Sequence, residues 1–160
     1  MNKILSIKNA VKLSKKLQNE GKKIVLAGGC FDILHIGHID YLTKAKKQGD
    51  ILFVFLESDE NIKKIKDEKR PINTQADRAT ILASLSMVDY VIPLPLFRSH
   101  KEYDELVISL KPGIIATTKG DSAKSHKERQ AGLIGAKVIE VTNQIVNKST
   151  TKLLEILTEL

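Results

Sequence analysis

The residues best suited to chemistry lie together in Gly28-Gly29-Cys30-Phe31-Asp32-Ile33-Leu34-His35-Ile36-Gly37-His38, directly after the apolar run Ile24-Ala27. Glycines at a strand end let a ligand approach the backbone where a side chain would collide. A helix starting near Gly37 would aim free N–H groups at a bound anion. His35 and His38 lie on one side of that helix start, so both rings can donate to the same triphosphate. For one histidine the ordinary reading is a satisfied surface or core side chain. Two of them, joined to strand-end glycines, point to a phosphate site. Zinc lacks ligands here, because there is one cysteine and no third histidine nearby. Cys30 reads as a small packing residue rather than a nucleophile.

Other candidates have two readings each. Ser149 and Thr150 precede a final amphipathic stretch, where hydroxyls and free N–H groups form an anion site or an ordinary N-cap. Arg78 lies one turn into a helix opened by Thr74, where it either clamps phosphate or sits on a solvated face. Asp32 is a turn or cap residue, or it lies beside a bound nucleotide. Lys44, Lys46 and Lys47 make a basic face on the helix after His38, from which one could reach an acceptor phosphate. Asn61-Lys66 has apolar residues at helical spacing.

These side chains must be held by a sheet. Ile24-Ala27, Ile51-Leu56, Tyr90-Pro93, Ile114-Thr117 and Lys137-Val141 read as strands buried on both faces. Residues 7–20 predict an opening helix closed by Gly21. Thr74 with Asp77, and Ser99 with Glu102, have the spacing of capping boxes, and Ser149 caps a last helix. Strands alternating with helices predict an α/β fold. Its form is a single doubly wound, Rossmann-like domain over 1–160, with a parallel five-stranded sheet and its ligand at the carboxyl ends of the strands. Residues 1–20 are the N-terminal helix of that domain, and 21–160 its core.

Composition narrows the partners. The 160 residues are 42% hydrophobic and 28% charged, which suits a globular domain. The net charge of +7 favours an anionic partner. Nucleic acid is disfavoured, since the basic residues are dispersed and aromatic residues make up only 4%. A lone cysteine and the lack of a signal-peptide core lead to an expected cytoplasmic location, and no apolar run is long enough for a membrane partner.

Gly28-Gly29-Cys30-Phe31-Asp32 followed by His35-Ile36-Gly37-His38 resembles the signature of the HxGH nucleotidyltransferase superfamily, and residues from about 20 onward resemble its heptose-1-phosphate adenylyltransferases. Gly49-Asp50, Ser58-Asp59, Arg70-Pro71-Ile72, Arg78, Val88-Asp89 and Ser149-Thr150-Thr151 follow in the order of that family. The resemblance implies an enzyme that joins the α-phosphoryl group of a nucleoside triphosphate to a small phosphorylated substrate and releases pyrophosphate. It makes His35, His38 and Arg78 catalytic. It assigns the nucleotide to Gly28, Gly29, Cys30, Phe31, Asp32, Gly37, Gly120, Asp121, Ser149, Thr150 and Thr151, and the acceptor to Lys44 and Lys66. It further implies Mg2+ carried with the triphosphate, no protein metal ligand, and a homodimer. Two segments depart from the family patterns. Thr117-Thr118-Lys119-Gly120-Asp121-Ser122 keeps only the Gly-Asp pair of the usual Lys-Gly-Gly-Asp-Tyr, which leaves the acceptor open. Gln144-Ile145-Val146-Asn147-Lys148 lacks the arginine of the cytidylyltransferase pattern, which favours ATP over CTP. The rival readings are glycerol phosphate with CTP, FMN with ATP, and a nucleotide-binding regulator without turnover.

Overall fold

The computed structural model describes residues 2–143, 145 and 149–159, so Gln144, Val146, Asn147 and Lys148 of the segment before Ser149 lie outside the described residues. Along the chain run α1 (Ile7–Asn19), β1 (Ile24–Gly29), α2 (Ile36–Lys46), β2 (Ile51–Leu56), α3 (Asp59–Ile65), α4 (Gln75–Ser84) and β3 (Tyr90–Pro93). They are followed by α5 (His100–Leu110), β4 (Ile114–Lys119), α6 (Lys124–Ile134), β5 (Lys137–Asn143) and α7 (Thr150–Thr158). The strands form one parallel five-stranded sheet in the order β3-β2-β1-β4-β5. Strand order reverses between β1 and β4, and such a switch point opens a crevice at the carboxyl ends.

The apolar runs locate the strands, but two sequence-based details need correction. β1, β4 and β5 continue past their apolar runs, and Gly28 and Gly29 still pair with Phe55 and Leu56 of β2. β5 is not buried on both faces; as an edge strand it is half-exposed along its length. The other edge is covered, since residues 3–5 hydrogen-bond to Val91 and the Lys3 ammonium donates to the carbonyls of Leu85 and Val88.

Side chains alternate between two cores. On one face Val25, Ala27, Leu52, Val54 and Leu56 pack against Leu42 and Ala45 of α2 and Ala79 and Leu82 of α4. On the other, Ile24, Leu26, Phe53 and Phe55 pack against Ala10 and Leu17 of α1, Leu106, Val107 and Leu110 of α5 and Ala131 of α6. The expected caps form: Thr74 accepts from Asp77 N–H, Ser99 and Glu102 complete a capping box, and Ser149 caps α7. Helix α6 carries no apolar signal, because Ala131 alone is buried. Gly49-Asp50 and Val88-Asp89 hold the amino ends of the strands, away from the crevice. Asp50 accepts from Lys23 N–H at 2.7 Å and Asp89 from Leu52 N–H at 2.7 Å. A Cβ on Gly49 would meet the Lys23 carbonyl at 2.8 Å.

Candidate active site

A cavity of about 370 Å³ opens at the carboxyl ends of β1, β4 and β5, lined by Gly28, Gly29, Phe31, His35, Gly37, His38, Thr118, Asp121 and Ser149 among others. The turn that leaves β1 is tight. Phe31 adopts a left-handed backbone (φ 47°) and buries its ring to 3% exposure. That ring explains Gly29, where a Cβ would stand 3.1 Å from it. At Gly28 a Cβ would make only ordinary contact, 3.5 Å from Phe55, so the protein itself leaves room above Gly28.

Helix α2 starts with His35 as its N-cap. The Gly37 N–H is not free for phosphate, as it donates to His35 Nδ1 at 3.1 Å. This bond makes Nδ1 the acceptor and leaves the proton of the neutral ring on Nε2. The His35 and His38 rings lie 3.9 Å apart between centroids, and the Phe31 ring lies 5.2 Å from His38. His38 Nδ1 is buried and has no hydrogen-bond partner among the described residues. Burial lowers both pKa values, that of His38 to about 4 with a further contribution from His35. Both rings are therefore neutral at pH 7, tilted against each other in a cavity wall with polar capacity unfilled.

Two candidates turn away from the cavity. Asp32 was placed beside the nucleotide; its carboxylate is instead wholly buried, accepting from Arg70 Nε at 2.7 Å and from the backbones of Ile72 at 2.8 Å and Asn73 at 3.0 Å. Burial alone would raise its pKa, but those two N–H groups and the Arg70 guanidinium hold it below the usual carboxylate range. It latches the 70–73 loop. Arg78 is neither a phosphate clamp nor on a solvated face, being 0% exposed. Its guanidinium donates to the carbonyls of Asn73, Cys30 and Glu57 and to the Asp59 carboxylate, tying together the chain beyond β1 and β2. A charge can be buried where each donor finds an acceptor.

At α7, Ser149 lines the cavity, and its Oγ accepts from Lys152 N–H at 3.1 Å as the N-cap. Thr150 does not reach the cavity; its hydroxyl donates to the Ile33 carbonyl at 3.0 Å and docks the helix on the loop after β1. Thr151 is exposed and lies outside the lining. Gly120 has φ 79° and turns the chain so that Asp121 reaches back to Thr117, Lys127 Nζ and Ala123 N–H. Lys44 lines neither cavity and pairs with Asp40 at 2.8 Å beside Thr142 of β5. Lys46 is paired with Asp89. Lys66 is exposed at the C-cap of α3.

A second cavity, of about 590 Å³, lies on the other side of Gly28 and Gly29. Gly28, Gly29, Asp121 and Lys127 line both cavities. Cys30 borders the second one, with its thiol pKa raised by burial and by Glu57, which suits packing rather than nucleophilic attack. Sequence reasoning missed most of this cavity, including Glu57, Arg98, His100, Tyr103 and His126. The His100 and His126 rings stack 4.0 Å apart across α5 and α6. The Ser99–Glu102 capping box was the one usable signal, since it places Arg98 and His100 beside a helix start at the carboxyl end of the sheet. Among the described residues no group of three or more His, Cys, Asp or Glu could hold a metal ion, and no helix is long and apolar enough to cross a membrane.

Comparison with known proteins agrees with this geometry. Residues 26–155 match the model of the cytidylyltransferase-like family. The bifunctional protein HldE of Nitratiruptor sp. is 44% identical over 143 residues, which is 89% of this chain and 29% of that protein. HldE of Campylobacter jejuni is 40% identical over 93% of this chain and 31% of its own length. The chain thus spans under a third of these curated relatives. A lipopolysaccharide core biosynthesis protein from Thermoplasma volcanium superposes with a TM-score of 0.61 at 30% identity, covering 78% of this chain and 98% of that one. Pantoate-beta-alanine ligase from Francisella tularensis, solved with an ATP compound and beta-alanine, shares the fold with a TM-score of 0.66 at 20% identity, over 89% of this chain and 67% of that one. By the family-model match over most of its length, this chain belongs to the cytidylyltransferase-like family.

Proposed function

We propose that this chain transfers AMP from ATP to a sugar 1-phosphate and releases pyrophosphate. The observation that carries the reading is the shared wall: a cavity with paired histidines meets a second cavity across Gly28 and Gly29. A triphosphate in the first would bring its α-phosphorus to that wall. A phosphate oxygen from the second then attacks in line, the new P–O bond forms as the bond to the β-phosphate breaks, and the electron pair leaves with pyrophosphate. No strong base is needed, because the acceptor is already an anion. Holding both reactants in place supplies much of the rate. His35 Nε2–H and the His38 ring act as fixed donors to the charge that grows on the leaving group. Ser149 and the free N–H groups of α7 support the phosphates.

Magnesium accompanies the triphosphate and would neutralise its oxygens. The donor set fits an ion held chiefly by the nucleotide, since the cavity's Asp121 is already engaged by Lys127, Thr117 and Ala123. The resemblance to heptose-1-phosphate adenylyltransferases supports ATP and a sugar phosphate. An unpaired cysteine supports a reducing cytoplasm. Pyrophosphate release, measured with each nucleoside triphosphate against aldose 1-phosphates, glycerol 3-phosphate and FMN, tests the reading. Release that depends on ATP together with an aldose 1-phosphate is expected. ATP binding without release for any acceptor would make the chain a regulator instead.

A further inference from the structure

We propose that Glu57 determines acceptor specificity by accepting hydroxyl hydrogens from a polyhydroxylated phosphate ester in the second cavity; this rests on the assignment of that cavity to the acceptor. Glu57 directly follows β2, and its backbone is fixed on both sides. Its N–H donates to the Gly29 carbonyl at 3.2 Å, and its carbonyl accepts from Arg78 at 2.9 Å. The carboxylate is held by one oxygen only. Oε2 accepts from Tyr103 Oη at 2.8 Å and from Asn61 Nδ2 at 2.7 Å, while Oε1 has no hydrogen-bond partner among the described residues. Nor does any cation among them pair with Glu57, although its side chain is half-buried and lines the cavity.

A half-buried carboxylate without a cation, rigidly clamped and with one oxygen unfilled, is a site awaiting donors. Tyr103 stays protonated at neutral pH, since burial and Glu57 raise its pKa, so it keeps occupying Oε2 and leaves Oε1 to the ligand. An anionic carboxylate repels the acceptor's phosphate, which belongs with Arg98, His100 and His126 on the same cavity wall system. Glu57 therefore meets the non-phosphate part of the acceptor. In the proposed reaction that part is a sugar, whose hydroxyls supply the donors that Oε1 lacks. Sites built to bind a substrate hydroxyl reject analogues that lack it far more strongly than apolar pockets reject a methylene.

The test is calorimetric titration of an aldose 1-phosphate panel, hexoses and heptoses with their monodeoxy forms, into protein saturated with α,β-methylene ATP. Glu57→Ala should weaken binding of the best aldose 1-phosphate about 10- to 100-fold, the range for one hydrogen bond to a charged group. Glu57→Gln, which keeps the clamp on Oε2 and guards against a folding defect, should lose less. Affinity for inorganic phosphate should not fall, and that for α,β-methylene ATP should stay unchanged. Wild type should reject at least one monodeoxy analogue, and Glu57→Ala should bind that analogue and its parent equally. The proposal is overturned if Glu57→Ala keeps the discrimination, if phosphate affinity falls in step with sugar affinity, or if no aldose 1-phosphate binds wild type. Glu57-dependent sugar binding without pyrophosphate release would remove the transfer reading and leave this one standing. Release with unaltered deoxy discrimination in Glu57→Ala would do the reverse.

Discussion

His38 should make the folded chain acid-sensitive, and the size of the effect follows from its surroundings. Its pKa is lowered from 6.5 to about 4 by burial and by the adjacent His35. In the unfolded chain it takes up a proton as the pH falls below 6.5, while in the folded chain it resists until about pH 4. Folding is thus undisturbed above the unfolded value and loses stability as the pH falls between the two. From pH 7.5 to 5.0 the ideal loss is about 1.36 kcal/mol for each unit below 6.5, or roughly 2 kcal/mol. The ring keeps some solvent contact, which brings this to about 1–2 kcal/mol. Urea unfolding of wild type and His38→Asn at both pH values reads the difference, because titrations elsewhere in the chain are common to both. Wild type should lose about 1–2 kcal/mol more than the variant. Tripolyphosphate should shrink that gap, since an anion beside the ring favours its charged form. Parallel losses in the two proteins would refute the burial argument.

Arg78→Ala should cost about 3–5 kcal/mol in urea unfolding, because it removes a wholly buried guanidinium and strips partners from three carbonyls and from the half-buried Asp59; a variant of wild-type stability that had lost only ATP affinity would restore the clamp reading. Ser149→Ala should weaken ATP binding and lower stability by about 1 kcal/mol as a lost cap, whereas Thr150→Ala should affect unfolding and leave ATP affinity near wild type. Transfer from a chiral α-phosphorothioate ATP should invert configuration at phosphorus, and Cys30→Ala should leave turnover largely intact. Retention, or a nucleotidyl-protein trapped without acceptor, would require a covalent intermediate.

The sequence is a good guide where one residue has one local consequence. Apolar runs located the strands and hydroxyl-to-acid spacing located the helix starts, because both are local rules. The glycines and histidines after β1 were legible for the same reason, since a short turn must place them together. Arg78 and Asp32 were not. Each is a charged side chain whose partners lie tens of residues away, so no local pattern separates a buried latch from a ligand contact. β5 reads as apolar yet lies at an edge, which depends on the order of strands rather than on its own composition. The second cavity was hidden for both reasons. Glu57, His100 and His126 come from the loop after β2, from α5 and from α6, and α6 buries too little apolar surface to announce itself.

The central claim is that the paired histidines stabilise departing pyrophosphate. Its most direct test is single-turnover pyrophosphate release from ATP, with a saturating aldose 1-phosphate, in wild type, His35→Ala and His38→Ala. Removing one fixed donor to developing charge typically slows turnover on the order of 10²- to 10³-fold, so each variant should fold, bind ATP and release pyrophosphate that much more slowly. Release at near the wild-type rate from either variant would contradict the account.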